Sequence, residues 1–158
     1  MSDLIYMKVK GATQDLISKG ASSFASIGNK GQVNHKDECY VCQVNLSAYA
    51  DLATNIGHMS LIKLIDRATP LLSLALSNGE ELNLEFSFYR HTGTQSYELY
   101  FKTFIEKAYV TQQNISMGND SSQSDIETLM IRYGGISHKH VKANTHGYID
   151  WFVKQKQD

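Results

Sequence analysis

Apolar and polar positions alternate with a period of two along much of this chain, and the places where the alternation stops mark its organisation. From Leu82 to Arg90, the residues Leu82, Leu84, Phe86 and Phe88 fall on one side; Asn83, Glu85, Ser87 and Tyr89 fall on the other. This predicts a half-buried antiparallel strand. Just upstream the rhythm changes. Met59 to Ile65 is apolar and β-leaning apart from Ser60 and Lys63, and Asp66-Arg67-Ala68-Thr69-Pro70 then leads into Leu71-Leu72-Ser73-Leu74-Ala75-Leu76. A proline at the first helical position loses no hydrogen bond, and a preceding threonine suits an N-cap. The segment predicts one short helix over about residues 70–77, capped by Asp66, Thr69 and Pro70, with the Asp66 charge at the positive end of the helix dipole. Asn78 and Gly79 tolerate the left-handed conformation that ends a helix. A helix this short is marginal alone, so packing of its leucines must hold it.

The remaining segments follow the same logic. Ile5, Met7 and Val9 share a strand face opposite Lys8 and Lys10, and Gly11 closes that strand. Residues 18–37 carry Gly20, Gly28 and Gly31 among polar residues and read as a long loop. Cys39 to Leu46 reads as a strand with Tyr40, Cys42, Val44 and Leu46 on one face. Residues 48–57 then place Tyr49, Leu52 and Ile56 in an otherwise polar connection. After a hairpin tip at residues 91–95, Ser96 to Met117 is β-rich without Pro or Gly, too long for a simple strand. Its two faces both carry apolar groups: Tyr97, Leu99, Phe101 and Ile105 on one, Tyr100, Phe104, Ala108 and Val110 on the other. Burial on both sides within one domain explains this, and so does contact with another subunit. Ile126 to Tyr133, a break at Gly134-Gly135, Ile136 to Val141 and Tyr148 to Val153 complete the strands. The class is mainly β, a barrel or sandwich of about seven or eight mostly antiparallel strands with one short α-helix.

Composition adds exclusions. The chain of 158 residues suits a single domain. Sixteen acids against fifteen bases give a formal net charge of −1, and the scattered bases offer no nucleic-acid face. No run of apolar residues reaches the length that spans a bilayer. The N-terminus, Met1 to Lys8, lacks a basic start and a long apolar core, so a signal peptide is not expected.

Candidate chemistry is sparse. Asn29-Lys30-Gly31 lacks the Gly-Lys-Ser/Thr order of a phosphate loop. Cys39 and Cys42 form a Cys-x-x-Cys, but on a strand residues i and i+3 point to opposite faces, and no second ligand pair follows. His138, His140 and His146 could be drawn as a metal site, giving a metalloenzyme reading. No hydrolase elbow is present. No cofactor is expected and nothing argues for catalysis. A monomeric β-sandwich binding module for a carbohydrate or protein ligand, using the loops at residues 18–37 and 118–125, is a further reading.

Four segments, in order, resemble one family. They are Ile5 to Gly11; Ile65-Asp66-Arg67-Ala68-Thr69-Pro70-Leu71-Leu72 with Leu76 to Gly79; Phe86 to Arg90; and Gly147 to Trp151. Together they resemble the haemolysin-coregulated protein (Hcp) family of the bacterial type VI secretion system. The resemblance implies a tight β-barrel with a side helix over residues 1–158, with no C-terminal extension domain. It implies a non-enzymatic homo-hexameric ring that stacks into the inner tube of a contractile machine. Such rings carry effector cargo, meet sheath and spike proteins, and leave the bacterial cytoplasm through the machine without membrane insertion. The stacking loop would fall on Tyr49, Leu52, Asn55 and Ile56. Ring contacts are expected from the long strand, at Tyr100, Phe104 and Val110.

Overall fold

Among the described residues the chain folds as nine strands, every pairing antiparallel. The computed structural model describes residues 4–28, 33–49, 57–94, 96–119 and 125–150. The strands are β1 (Leu4–Gly11), β2 (Asp15–Leu16), β3 (Cys39–Ser47), β4 (Gly57–Leu64), β5 (Leu82–His91), β6 (Tyr97–Ser116), β7 (Ile126–Tyr133), β8 (Gly135–His140) and β9 (Thr145–Asp150). Between β2 and β3 lie a four-residue helix, α1 (Phe24–Ile27), and a 3-10 turn at Val33–His35. The main helix, α2, spans Ala68–Asn78.

Six strands close into a barrel in the order β1, β3, β4, β7, β6, β5 and back to β1. The circuit closes because β6 is 20 residues long and serves two neighbourhoods. Its first half pairs β5 on one edge and β8 on the other; its second half pairs β7. β9 extends the sheet beyond β8. Inside, Met7, Val9, Phe86, Ile105, Leu129 and Ile131 form the centre of one buried cluster. Leu82, Leu84 and Phe86 point into it, as the alternation predicts.

Simple alternation fails where strands bulge. In β6, Thr103 and Ile105 are buried, and so are Ala108 and Val110. Lys107 adopts φ 54°, and the pairing with β5 skips from Ile105 opposite Leu84 to Ala108 opposite Leu82. One extra residue reverses which parity faces inward. The grouping of Ala108 and Val110 with Tyr100 and Phe104 on a second face is therefore corrected: Val110 is 6 % exposed and belongs to the core. β3 repeats the lesson. Its pairing with β4 shifts between Val41 and Gln43. Cys39 and Val41 point inward before the shift, and Val44 and Leu46 pack against the core after it. Tyr40 and Cys42 do not share that face.

The helix starts two residues earlier than predicted, at Ala68 instead of Pro70. Asp66 Oδ1 accepts from Ala68 N at 2.9 Å, and Asp66 N donates to Thr69 Oγ1 at 3.1 Å. This reciprocal pair does the capping, with Thr69 and Pro70 inside the first turn, where a missing N–H costs nothing. Gly79 ends the helix at φ 59°, as expected. The next residue, Glu80, clamps the β1–β2 turn: its carboxylate accepts from Thr13 N, Gln14 N and Gln14 Nε2 at 2.8–3.0 Å.

Candidate functional site

Four strand segments form one panel of the barrel, in the order β3, β4, β7 and the second half of β6. Among the described residues, each end of that panel is open. β1 pairs with β3 only through Cys39, Tyr40 and Val41. From Gln43 to Ser47, β3 has β4 alone as a strand partner among the described residues. β5 reaches β6 only as far as Ala108. From Tyr109 to Ser116, β6 has β7 alone among the described residues. Three antiparallel steps separate the two edges, so they run in opposite directions. A second copy could lay its β3 against this β6 and continue the same antiparallel pattern. Free edges of this kind template pairing with another chain.

The outward face of the panel is nearly free of charge. Successive cross-strand rungs are Asn45–Ser60–Met130–Gln112 and Gln43–Ile62–Thr128–Asn114. Only the rung Ser47–His58–Arg132–Tyr109 brings a guanidinium, and Arg132 sits 5.8 Å from the Tyr109 ring centroid. Apart from Ile62 and the His58–Arg132 pair, this wall is made of amides and hydroxyls with one thioether.

Behind the panel, helix α2 is bolted to it by a buried polar network. Lys63 Nζ lies 2.6 Å from Glu127 Oε1 and 2.8 Å from Asp66 Oδ1, with all three side chains shielded from water. Burial pulls the lysine toward its neutral form, but its anionic neighbours outweigh that and hold it above its ordinary value. Burial pushes Cys39 well up, so its thiol stays protonated; the two carboxylates therefore hold Lys63. Asp66 is raised because its desolvation exceeds the pull of Lys63. Thr69 Oγ1 donates to Glu127 Oε1 at 2.8 Å. Gln113 on β6 completes the network: Nε2 donates to Glu127 Oε2 at 2.5 Å and to Thr69 O at 3.1 Å, while Oε1 accepts from Ser73 Oγ at 2.6 Å. Lys63 and Glu127 were invisible as partners in the sequence, where they stand 64 positions apart. One signal was available, a lone lysine on the apolar face of a strand.

On the opposite wall, a single rung crosses five strands: Lys8, Glu85, Phe104, Ser137 and Tyr148. A groove of about 360 Å³ opens there, with Phe104 38 % exposed within it. Tyr148 donates to Glu106 across it, and Gly135 leaves the room that the Glu106 side chain occupies.

The remaining expected residues are dispersed. Tyr49 is 56 % exposed where β3 ends; Leu52, Asn55 and Ile56 lie outside the described residues. Tyr100 is half-buried under the Arg90 guanidinium at 5.1 Å. His138 and His140 pair with Gly147 and Thr145, whereas His146 pairs with Lys139, whose side chain lies on the other face. The three histidines do not converge, and no group able to hold a metal occurs among the described residues. His138 bonds Thr103 Oγ1 at 2.9 Å and is lowered by burial. The loop before β3 is strapped down: His35 stacks on Tyr6 at 3.8 Å and meets Glu38 at 3.1 Å.

Comparison with known proteins agrees with this geometry. The family model described as type VI secretion system effector, Hcp, matches residues 6–140. The "Major exported protein" of Pseudomonas aeruginosa is 28 % identical over 96 % of each chain. An uncharacterised Escherichia coli protein, YhhZ, is 32 % identical over 92 % of this chain; the chain spans 37 % of that relative's length. Among solved structures, one titled a crystal structure of Hcp protein has a TM-score of 0.86 at 28 % identity, covering 95 % of this chain and 98 % of its own. The secreted protein Hcp3 of P. aeruginosa gives 0.84 at 29 % identity, covering 95 % and 99 %. The chain belongs to the Hcp family of the type VI secretion system.

Proposed function

We propose that this chain is the structural subunit of a type VI secretion inner tube, closing into six-membered rings that stack and carry effector cargo. The observation that carries the reading is the pair of free, oppositely directed edges on one four-stranded panel. Repeating a single β3–β6 contact around an axis uses both edges of the panel in every copy and leaves neither of those two exposed. The panel's nearly uncharged face then lines the lumen, and the wall bearing Lys8, Glu85, Phe104 and Tyr148 faces away from the lumen.

Magnitudes say that edge pairing alone is insufficient. Roughly six backbone hydrogen bonds at about 1 kcal/mol net apiece are comparable to the ~4–15 kcal/mol cost of association. Side chains must add burial, and Phe104, an exposed aromatic on the long strand, and the half-buried Tyr100 are the candidates to supply it. Val110 has no part, being in the core. Tyr49, at the root of residues 50–56, begins the segment that reaches the next ring. Sheath and spike proteins are the outer partners, and the ring itself is exported with its cargo.

Light scattering on the purified protein tests this directly. Six chain masses are expected, with rings in negative-stain micrographs. A single chain mass at high concentration overturns the ring and favours a monomeric binding module, for which the groove beside Phe104 would be the site.

A further inference from the structure

We propose that Gln113 is the register pin of the assembly edge, a positioning residue that couples helix α2 to the free side of β6. This rests on the ring reading above, and it names the side chain that makes the edge usable. The edge has a register problem. β6 shifts against β5 around Lys107 and against β7 between Val110 and Gln112. Each shift inverts which residues face inward, so a slip of one residue would turn the whole edge over. Something must fix the strand after the second shift.

Two side chains do so. At the shift, Thr111 Oγ1 donates to the carbonyl of Met130 on β7 at 3.1 Å. Immediately after it, the Gln113 amide has both ends occupied, and the two groups that meet its nitrogen are acceptors that cannot donate. Its nitrogen donates to the Glu127 carboxylate and to the Thr69 carbonyl; its oxygen accepts from the Ser73 hydroxyl. Glu127 is in turn fixed by Lys63, and Thr69 and Ser73 belong to the first turns of α2. Gln113 is thus held from β7 and from the helix at once. The edge of β6 presented to a neighbouring copy is set by the position of α2. A shift of that helix would misregister the edge without opening the barrel.

The test replaces Gln113 by a side chain of similar length that forms no amide bonds, Gln113→Met. Assembly is followed by light scattering across a dilution series, and backbone protection by hydrogen–deuterium exchange. The concentration for half-assembly should rise about tenfold, as loss of partly buried hydrogen bonds, one of them to a charged group, implies. Protection should fall at residues 109–116 and persist at residues 97–106. Ser73→Ala, which removes one bond from the helix side alone, should shift assembly the same way by less. An unchanged assembly midpoint in both variants overturns the proposal, as does a loss of protection spread evenly over β6. If the unmodified protein stays a single chain, the ring reading fails by itself. Exchange confined to residues 109–116 in Gln113→Met then still upholds the pin, and uniform or unchanged exchange sinks it.

Discussion

Lys63 Nζ and Glu127 Oε1 sit 2.6 Å apart with both side chains closed off from solvent, at the point where helix α2 meets the barrel. Asp66 supplies a second carboxylate to the same ammonium. The site therefore holds one cation between two acids, and removing the cation leaves both carboxylates buried without it. Lys63→Met should cost about 3–5 kcal/mol, the scale of breaking a buried pair. Pairing it with Glu127→Leu should recover part of that loss, because no uncompensated charge then remains at Glu127. Chemical denaturation of the two variants reads both values; equal losses would mean that the unpaired charge at Glu127 is not what makes Lys63→Met costly.

Glu80 gives the fold an acid-sensitive fastening. Burial raises its carboxyl, but the bonds from Gln14 and Thr13 outweigh that and leave it below its ordinary value of 4.5. A carboxyl lowered on folding stabilises the native state above the unfolded value, and that contribution is lost as pH falls through the folded one. Glu80→Gln should flatten the stability–pH curve below about pH 4.5 relative to the parent. Thermal unfolding at a series of acidic pH values checks it, and an unchanged slope would remove Glu80 from the account.

Gly11 makes the Glu80 clamp possible, since a Cβ there would overlap the Glu80 carboxylate. Gly11→Ala should therefore lower stability by about 1–3 kcal/mol, the cost of leaving a buried polar group unsatisfied. In Glu80→Ala the same substitution should cost less, because only the tip of Ile17, whose Cδ1 lies 3.0 Å from the added Cβ, still has to give. A double-mutant cycle measures that coupling.

Lys107 carries the left-handed backbone that reverses the phase of β6. That conformation costs an L-residue about 1–2 kcal/mol, which glycine avoids. Lys107→Gly should be neutral or stabilising by up to about 1 kcal/mol, whereas Lys107→Val should destabilise. A valine variant as stable as the parent would show that the bulge is not held at this residue.

Phe104 lies in the open groove, unlike Val110. Phe104→Glu should split rings into single chains whose circular dichroism and melting remain those of a folded barrel. Unfolding would instead place Phe104 among the groups that hold the barrel together.

Local chemistry in the sequence was enough to set the longer strands, the one substantial helix and its C-terminal end, because alternation and a terminal glycine act within a few residues; the helix start moved two residues to Ala68. The clean rhythm of Leu82 to Phe86 survives intact in the core. The sequence also carried the family resemblance, through short segments in a fixed order. Tertiary structure decided which parity of β6 and β3 faces inward, since a bulge is a property of two paired strands and not of either one. It was tertiary structure, too, that brought Lys63, Asp66, Gln113 and Glu127 together: a buried charge is tolerated only where distant partners meet it, and no local pattern records that meeting. The open edges of β3 and β6 belong to the same class, because a strand is unpaired only in relation to the neighbours that fail to reach it.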